Sequence, residues 1–196
     1  MNKLRLETIS DGLFSIIITV MLLELKIPEG NDFLALQQEL HLIFSYVLSF
    51  IYVGIYWNNH HHLFQVVKSV NGKTLWVNLH LMFWLTMIPF ATGWSGQSNY
   101  AAVPTAVYAF VLFMSSLSYR LLEKVLIHDE GHHSLLVELL VEDNKLMISN
   151  ILYAAAIFLS FLNTKLALLT LGILAAFWFI PNRSIEKYFK DSEGKT

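Results

Sequence analysis

Hydrophobic positions along this chain fall into six long runs separated by short polar stretches. In the first run, Asp11 is the only charged side chain between Thr8 and Leu23. A helix of ~20 predominantly apolar residues is long enough to cross the hydrocarbon core of a bilayer. The pattern therefore predicts six membrane-spanning helices, over residues 6–25, 36–67, 75–94, 101–126, 145–162 and 166–180.

Turn-forming residues and prolines mark the limits of these segments. Pro28, Gly30 and Asn31 predict a turn after the first segment. Pro89 lies inside the third segment and predicts a kink there, because proline removes one backbone hydrogen bond. Residues 128–143 are polar and acidic apart from the amphipathic stretch LLVELLVE, and they predict a connection between the fourth and fifth segments.

The composition supports a membrane protein. Hydrophobic residues make up 55% of the 196 residues and charged residues 14%, with a mean hydropathy of +0.52. Soluble domains carry about 25% charged residues. The fold class is therefore predicted to be all-α, a polytopic membrane protein with six transmembrane helices in one repeat. Neither a soluble domain nor a low-complexity segment interrupts the pattern, so residues 1–196 are expected to form a single membrane domain.

Charge and cysteine content exclude several classes of function. The net charge is −2, and the chain has no basic cluster or glycine-rich phosphate loop, so no nucleic-acid partner is expected. Cysteine is absent, which excludes disulfides, thiol catalysis and zinc–thiolate sites. No catalytic residue, no metal and no cofactor are predicted.

Lysine and arginine residues are distributed unevenly between the two sides of the membrane. Six crossings place both termini on one side, and eleven basic residues fall on that side against Lys26 and Lys165 on the other. Basic loops stay in the cytoplasm, so both termini are predicted to be cytoplasmic, in the plasma membrane. The outer loop after the first segment is acidic, with Glu24, Glu29, Asp32 and Glu39. Acidic side chains near a pore mouth raise the local cation concentration.

One stripe of the first segment carries side chains that suit either packing or a pore. At about 100° per residue, Ile16, Thr19 and Leu23 fall on the same side of a helix, and Asp11 falls on roughly the opposite side from Ile16. We expect Asp11 to turn into the protein body. Spacing alone leaves two alternatives for the stripe, which either packs against a neighbouring helix or lines an ion path.

Three stretches carry a resemblance to a known family. Residues 5–11, RLETISD, fit the signature R-x-x-x-F-S-D at the Arg, Ser and Asp positions, whereas Ile9 replaces the aromatic residue. Residues 57–67, WNNHHHLFQVV, and 78–90, NLHLMFWLTMIPF, look like the second and third helices of the same family. The chain thus resembles the transmembrane protein 175 family of lysosomal and prokaryotic potassium channels, and its length fits the prokaryotic members with one six-helix repeat.

The resemblance implies a function and an assembly. It implies a potassium-selective or weakly selective cation channel, a homotetramer in membrane lipid with potassium as the permeant ion and with the pore lined by the first helix of each chain. By resemblance the constriction falls on Ile16, five residues after the signature Asp. The hydroxyl of Thr19 contributes to potassium preference, and Leu23 continues the stripe outward.

A set of polar residues is expected to brace the first helix against the second and third near the cytoplasmic side. The set comprises Arg5, Ser10, Asp11, Trp57, His60, His61 and Asn78. A carboxylate taken out of water needs partners, and these side chains converge at one depth. The network would support the pore structurally without any catalytic role. The alternative is a group of interfacial polar residues at helix ends.

Two other classes of function stay open at this point. HDEGHH at residues 128–133 resembles one histidine box of membrane di-iron desaturases, but no further box follows, and the rings of residues 60–62 spread over about 200° of a helix. His128 and His132 are predicted to be loop residues. A small proton-coupled transporter is the other alternative, because of Asp11 and the eight histidines.

Overall fold

A computed structural model of the chain describes residues 2–130 and 145–179, and all regular structure in these residues is helical. This confirms the predicted all-α class. The helices of the described residues are α1 Lys3–Leu23, α2 Phe33–Gln38, α3 Leu40–Val66, α4 Gly72–Thr86, α5 Ile88–Gln97, α6 Ala102–Glu130, α7 Lys145–Leu162 and α8 Thr164–Phe179.

Five stretches of the described residues are long and apolar enough to cross a membrane. They are α1, α3, α4 together with α5, α6 and α7, whereas α8 is a shorter apolar helix. The sixth crossing stays a prediction, because α8 is shorter than a full membrane span. The expected end of this segment, at residue 180, lies outside the described residues.

Helix caps shift several boundaries away from the predicted positions. The Asn2 side chain accepts a hydrogen bond from the Leu4 N–H at 3.0 Å, so α1 begins three residues earlier than hydrophobicity alone indicated. Asp32 caps α2 in the same way, through the Ala35 N–H at 2.9 Å. The predicted second segment is also split into α2 and α3 at Glu39, whose backbone angles lie outside the helical region and whose side chain makes no capping hydrogen bond.

The third segment is interrupted where its proline predicts. The helix breaks at Met87, between α4 and α5, and Pro89 lies in the first turn of α5. Proline has no N–H to donate to the carbonyl of Leu85 four residues earlier, so the continuous helix loses a hydrogen bond at this point. After this break, α5 packs against α1.

The predicted connection after the fourth segment begins too early. α6 continues to Glu130, so His128 lies in the last turn of a helix and its prediction as a loop residue is wrong. A histidine near a helix C-terminus interacts favourably with the helix dipole, which hydrophobicity does not register. The stretch LLVELLVE, His132 and His133 lie outside the described residues.

Buried hydroxyl groups link the helices behind α1. Ser49 Oγ of α3 lies 2.6 Å from Thr92 Oγ1 of α5 and 2.8 Å from Tyr108 Oη of α6. Such interhelical hydrogen bonds hold membrane helices together where lipid provides no hydrophobic driving force. α6 packs against α4, α5, α7 and α8, while α1 packs against α3, α4 and α5. The hydroxyl cluster makes these helices a firm support for one side of α1.

Candidate functional site

α1 has one buried face and one uncovered face. Its buried residues recur at intervals of three and four, which places them on a single side of the helix; they are Leu6, Ser10, Phe14, Ile17 and Met21. This side contacts α3, α4 and α5. The described part of the chain places no neighbouring helix against the opposite side of α1, which is long and apolar enough to span a membrane.

The predicted stripe lies on the uncovered face. Ile16 is 57% exposed and Leu23 is 78% exposed, and Thr19 between them is also exposed. Thr19 donates its hydroxyl hydrogen to the Ser15 carbonyl oxygen at 2.9 Å. Because that hydrogen is used within the helix, the lone pairs of Thr19 Oγ1 remain free to accept from water or to contact a cation.

A buried chain of hydrogen bonds ties α1 to α3 and α4. Asn78 Nδ2 donates to Ser10 Oγ at 3.0 Å, and Asn78 Oδ1 lies 2.9 Å from His60 Nε2. The amide oxygen can only accept, so His60 carries its hydrogen on Nε2. All three side chains are buried, and each belongs to a different helix. This buried chain of hydrogen bonds therefore fixes the rotation of α1 about its own axis.

Aromatic rings enclose the histidine of this chain. The ring of Phe64 lies 4.6 Å from that of His60, and the ring of Phe14 lies 5.8 Å away in an edge arrangement. Apolar surroundings of low dielectric strengthen a satisfied hydrogen bond and penalise an unsatisfied one. Neither phenylalanine was among the predicted site residues, although their spacing was a signal: Phe14 is four residues after Ser10, and Phe64 is four residues after His60.

Asp11 lies on the surface of the single chain, and the expectation that it turns into the protein body is wrong. Its Oδ1 accepts a hydrogen bond from Trp57 Nε1 at 3.1 Å, and both residues are exposed. Adjacent residues of a helix point about 100° apart, so the burial of Ser10 carries Asp11 out of the interface. The Trp57 ring stacks on His61, whose Nε2 lies 2.7 Å from Gln65 Nε2.

Arg5 stands apart from the other residues expected in the network. Its side chain is exposed and makes no hydrogen bond or ion pair with the described part of the chain. Lys3 instead donates to the Val67 carbonyl oxygen at 2.8 Å and lies 3.9 Å from Glu7. The predicted network thus separates into a buried chain, an exposed row from Asp11 to His61, and Arg5.

Comparisons with known proteins decide the family. The model of the family described as endosomal/lysosomal potassium channel TMEM175 matches residues 5–89. A potassium channel of Chryseobacterium sp. (strain P1-3) is 50% identical over 192 residues, which cover 98% of this chain and 100% of that protein. The chain belongs to the TMEM175 family. The matched residues 5–89 include α3, α4 and all of α1 except its first two residues, and hence both the stripe and the buried chain.

Other members of the TMEM175 family show how far the similarity extends. The crystal structure of a lysosomal potassium-selective channel TMEM175 homolog from Chamaesiphon minutus matches with a TM-score of 0.81 at 24% identity, over 92% of this chain and 98% of that one. The two chains therefore share a fold. The endosomal/lysosomal proton channel TMEM175 of Homo sapiens is 32% identical over 111 residues, which cover 54% of this chain and 22% of that protein.

Membership of the TMEM175 family confirms an integral membrane protein that is not an enzyme, which removes the di-iron alternative. Within residues 2–130 and 145–179, no group of three or more His, Asp or Glu side chains is arranged to hold a metal ion.

His60→Ala and His61→Ala form a matched pair that tests the buried chain. Removing His60 leaves Asn78 Oδ1 without a donor, and an unsatisfied buried group costs ~1–3 kcal/mol in addition to the cavity between the phenylalanines. We expect a clear fall in the melting temperature of the detergent-solubilised protein. His61→Ala removes the same atoms from an exposed position and should change it little. Equal falls for the two variants would contradict the role of the buried chain.

Proposed function

We propose that this TMEM175 family member is a potassium-selective or weakly selective cation channel formed by four copies of the chain around α1. One observation carries the proposal: α1 is packed on one side only, and its uncovered side bears Ile16, Thr19 and Leu23. The 50% identical potassium channel of Chryseobacterium supports it, since that protein aligns with the chain over nearly all of its length.

Assembly around α1 follows from the geometry of a single chain. One helix encloses no pore, whereas closed rotational symmetry brings copies of the same helix around one axis. Gly12 and Ser15 flank the stripe, and a Cβ placed on Gly12 meets no atom within 4 Å. Small side chains at these positions let helices of neighbouring chains approach closely. Four copies are the number that the family resemblance implies.

The stripe would select ions without a carbonyl filter. A ring of Ile16 side chains offers no oxygen, so the barrier there consists of wetting an apolar neck and disturbing the hydration shell of the ion. Potassium holds its water less tightly than sodium and therefore meets a smaller barrier. The free lone pairs of Thr19 Oγ1, one turn further out, would replace part of the lost hydration.

The polar residues near the N-terminal end of α1 would maintain the pore geometry. The chain of His60, Asn78 and Ser10 holds the rotation that directs Ile16 to the axis. The exposed row from Asp11 to His61, together with Arg5, lies on surface that neighbouring chains would share in the tetramer. These residues act as braces and make no contact with the permeant ion.

We further propose that the tetramer lies in the plasma membrane with both termini in the cytoplasm, surrounded by lipid. Eleven basic residues on the side of the termini against two on the other support this orientation. Residues 1–196 would form one membrane domain without a separate soluble unit. The acidic outer loop then faces the source of incoming cations.

The number of chains in the channel gives the first prediction for this function. Native mass spectrometry in mild detergent should show a tetramer, because a closed pore needs several copies of α1. A variant that places a bulky residue between the helices, Gly12→Leu, should weaken this tetramer. Gly172→Leu adds the same side chain on α8, where a Cβ also meets no atom within 4 Å, and should not weaken it. A monomer or dimer that still passes current would contradict assembly around α1.

Ile16→Asn tests the apolar neck. In bilayer recordings with potassium on one side and sodium on the other, the wild-type protein should show unitary current steps. Its reversal potential should report a higher permeability for potassium than for sodium. An amide hydrates the neck, so Ile16→Asn should raise the unitary current and shift the reversal potential towards zero. Ile173→Asn on α8 is the matched control, since Ile173 is 56% exposed against 57% for Ile16. Saturable, proton-linked flux without unitary steps would favour the transporter alternative.

Thr19→Val tests the hydroxyl ring separately from the size of the neck. Valine is nearly isosteric with threonine, so the neck keeps its width while the acceptor oxygens disappear. We expect the preference for potassium over sodium to fall and the unitary current to change less. Thr170→Val is the control, because Thr170 also donates to a carbonyl four residues earlier, at 2.8 Å, but on α8. If both variants keep the wild-type reversal potential, Thr19 does not contact the permeant ion.

A further inference from the structure

A carboxylate is held in a fixed position at the outer end of α1. Glu24 follows the last residue of the helix and is half-buried. Gly93 of α5 lies directly against it: a Cβ at this position would come within 2.7 Å of Glu24 Oε2 and 3.2 Å of its Cδ. Gln97 Nε2 donates to the same oxygen at 3.4 Å. Gly93 and Gln97 thus form a seat for the carboxylate, and this name is used for the pair below.

Helix stability does not explain why a negative charge occupies this place. α1 ends at Leu23 and α5 ends at Gln97, so two helix C-termini with negatively polarised carbonyl groups meet near Glu24. Neither helix has a basic residue in its last turn. No salt bridge in the described parts of the chain joins Glu24 to a basic side chain. A carboxylate here adds to the negative potential and is not neutralised.

We propose that the seat places the charge of Glu24 at the outer mouth of the pore, where it concentrates cations before they reach Leu23. The inference rests on the proposed channel and deepens it by assigning a charge-placing pair on α5. Leu23 is the outermost residue of the stripe and Glu24 is the next residue, so the carboxylate, which lies against α5, would stand at the edge of the mouth beside the stripe. In the tetramer, four seated carboxylates would surround the axis with the carbonyl ends of the helices behind them.

The seat distinguishes Glu24 from the other acidic residues of the outer side. Glu29 is exposed in the loop, and the side chain of Asp32 is occupied as the cap of α2. A glycine at position 93 leaves the space that the carboxylate of Glu24 fills. The end of a glutamate side chain is flexible, so Gly93→Ala should displace the charge without unfolding the chain. Placement of the charge can thus be tested separately from its presence.

The first experiment measures the potential at Leu23 without relying on ion conduction. The chain has no cysteine, so Leu23→Cys introduces a single thiol. The ratio of its reaction rates with a cationic and an anionic methanethiosulfonate reagent reports the local potential. At low salt, Glu24→Gln should lower this ratio roughly fourfold, as for a unit charge about 10 Å away in water. Glu29→Gln removes the same charge from an unseated position and should lower it less.

The second experiment measures the inward unitary potassium current. Glu24→Gln should reduce it at low ionic strength, and the difference should shrink at about 1 M salt, where the screening length is ~3 Å. Gly93→Ala keeps the charge but should reduce the current in the same way. Gly172→Ala is its control, because the added Cβ meets nothing within 4 Å.

The two experiments separate failure of this inference from failure of the channel proposal. If wild-type protein conducts but neither the rate ratio nor the low-salt current responds to Glu24→Gln, the charge placement is overturned and the channel stands. If the rate ratio falls as expected while no variant or wild-type protein passes potassium, the charge placement stands and the channel proposal fails. A Gly93→Ala variant with wild-type current and rate ratio would overturn the role of the seat.

Discussion

The structure depends on holding one helix from one side only. A helix that is packed on one side only is not fixed by hydrophobic packing all around, and between membrane helices lipid supplies no hydrophobic driving force. The hydrogen bonds among His60, Asn78 and Ser10 set the rotation of α1 about its axis, which non-directional apolar packing does not fix. A rotation of α1 by about 100° in the direction that brings Ile16 to the place of Ile17 would carry Ile16 into the packed face, because Ile17 is buried. The buried chain penalises that rotation, because Ser10 and the Asn78 amide group would lose the hydrogen bond between them, while the bond from His60 to Asn78 keeps the amide in place.

Hydrophobic periodicity could predict most of the fold and, in the candidate site, the stripe on α1. The spacing of Ile16, Thr19 and Leu23 placed them on one side of α1, and the structure leaves that side uncovered. The same helical wheel implied that Asp11 is exposed, because Ser10 and Asp11 point about 100° apart and the packed face of α1 buries Ser10. The prediction that both residues belong to one buried network did not take this angle into account. The break at Met87 depends on Pro89, whose missing N–H acts within a single helical turn and leaves the hydrophobic period unchanged.

The atoms through which distant segments touch could not be predicted from the sequence, even where the residues were expected to lie close together. The closeness of Gly93 to Glu24 depends on the direction that α5 takes after Met87, and no periodicity within either helix records that direction. The orientation of the Asn78 amide likewise follows from two partners on other helices. Arg5 shows the opposite case: its place in a family signature suggested a partner, yet within a single chain its side chain is exposed.

Hydroxyl groups on α1 have two uses, and the face of the helix decides between them. Ser10 on the buried face accepts from Asn78 of another helix. On the uncovered face, Thr8, Ser15 and Thr19 each donate to the carbonyl oxygen four residues earlier, at 2.8–3.0 Å. Their hydrogens are therefore directed into the helix and their lone pairs outward. The hydroxyl groups of this face thus present acceptors without free donors, an arrangement that suits cations better than anions, whereas Arg5 near the start of the same face carries N–H donors.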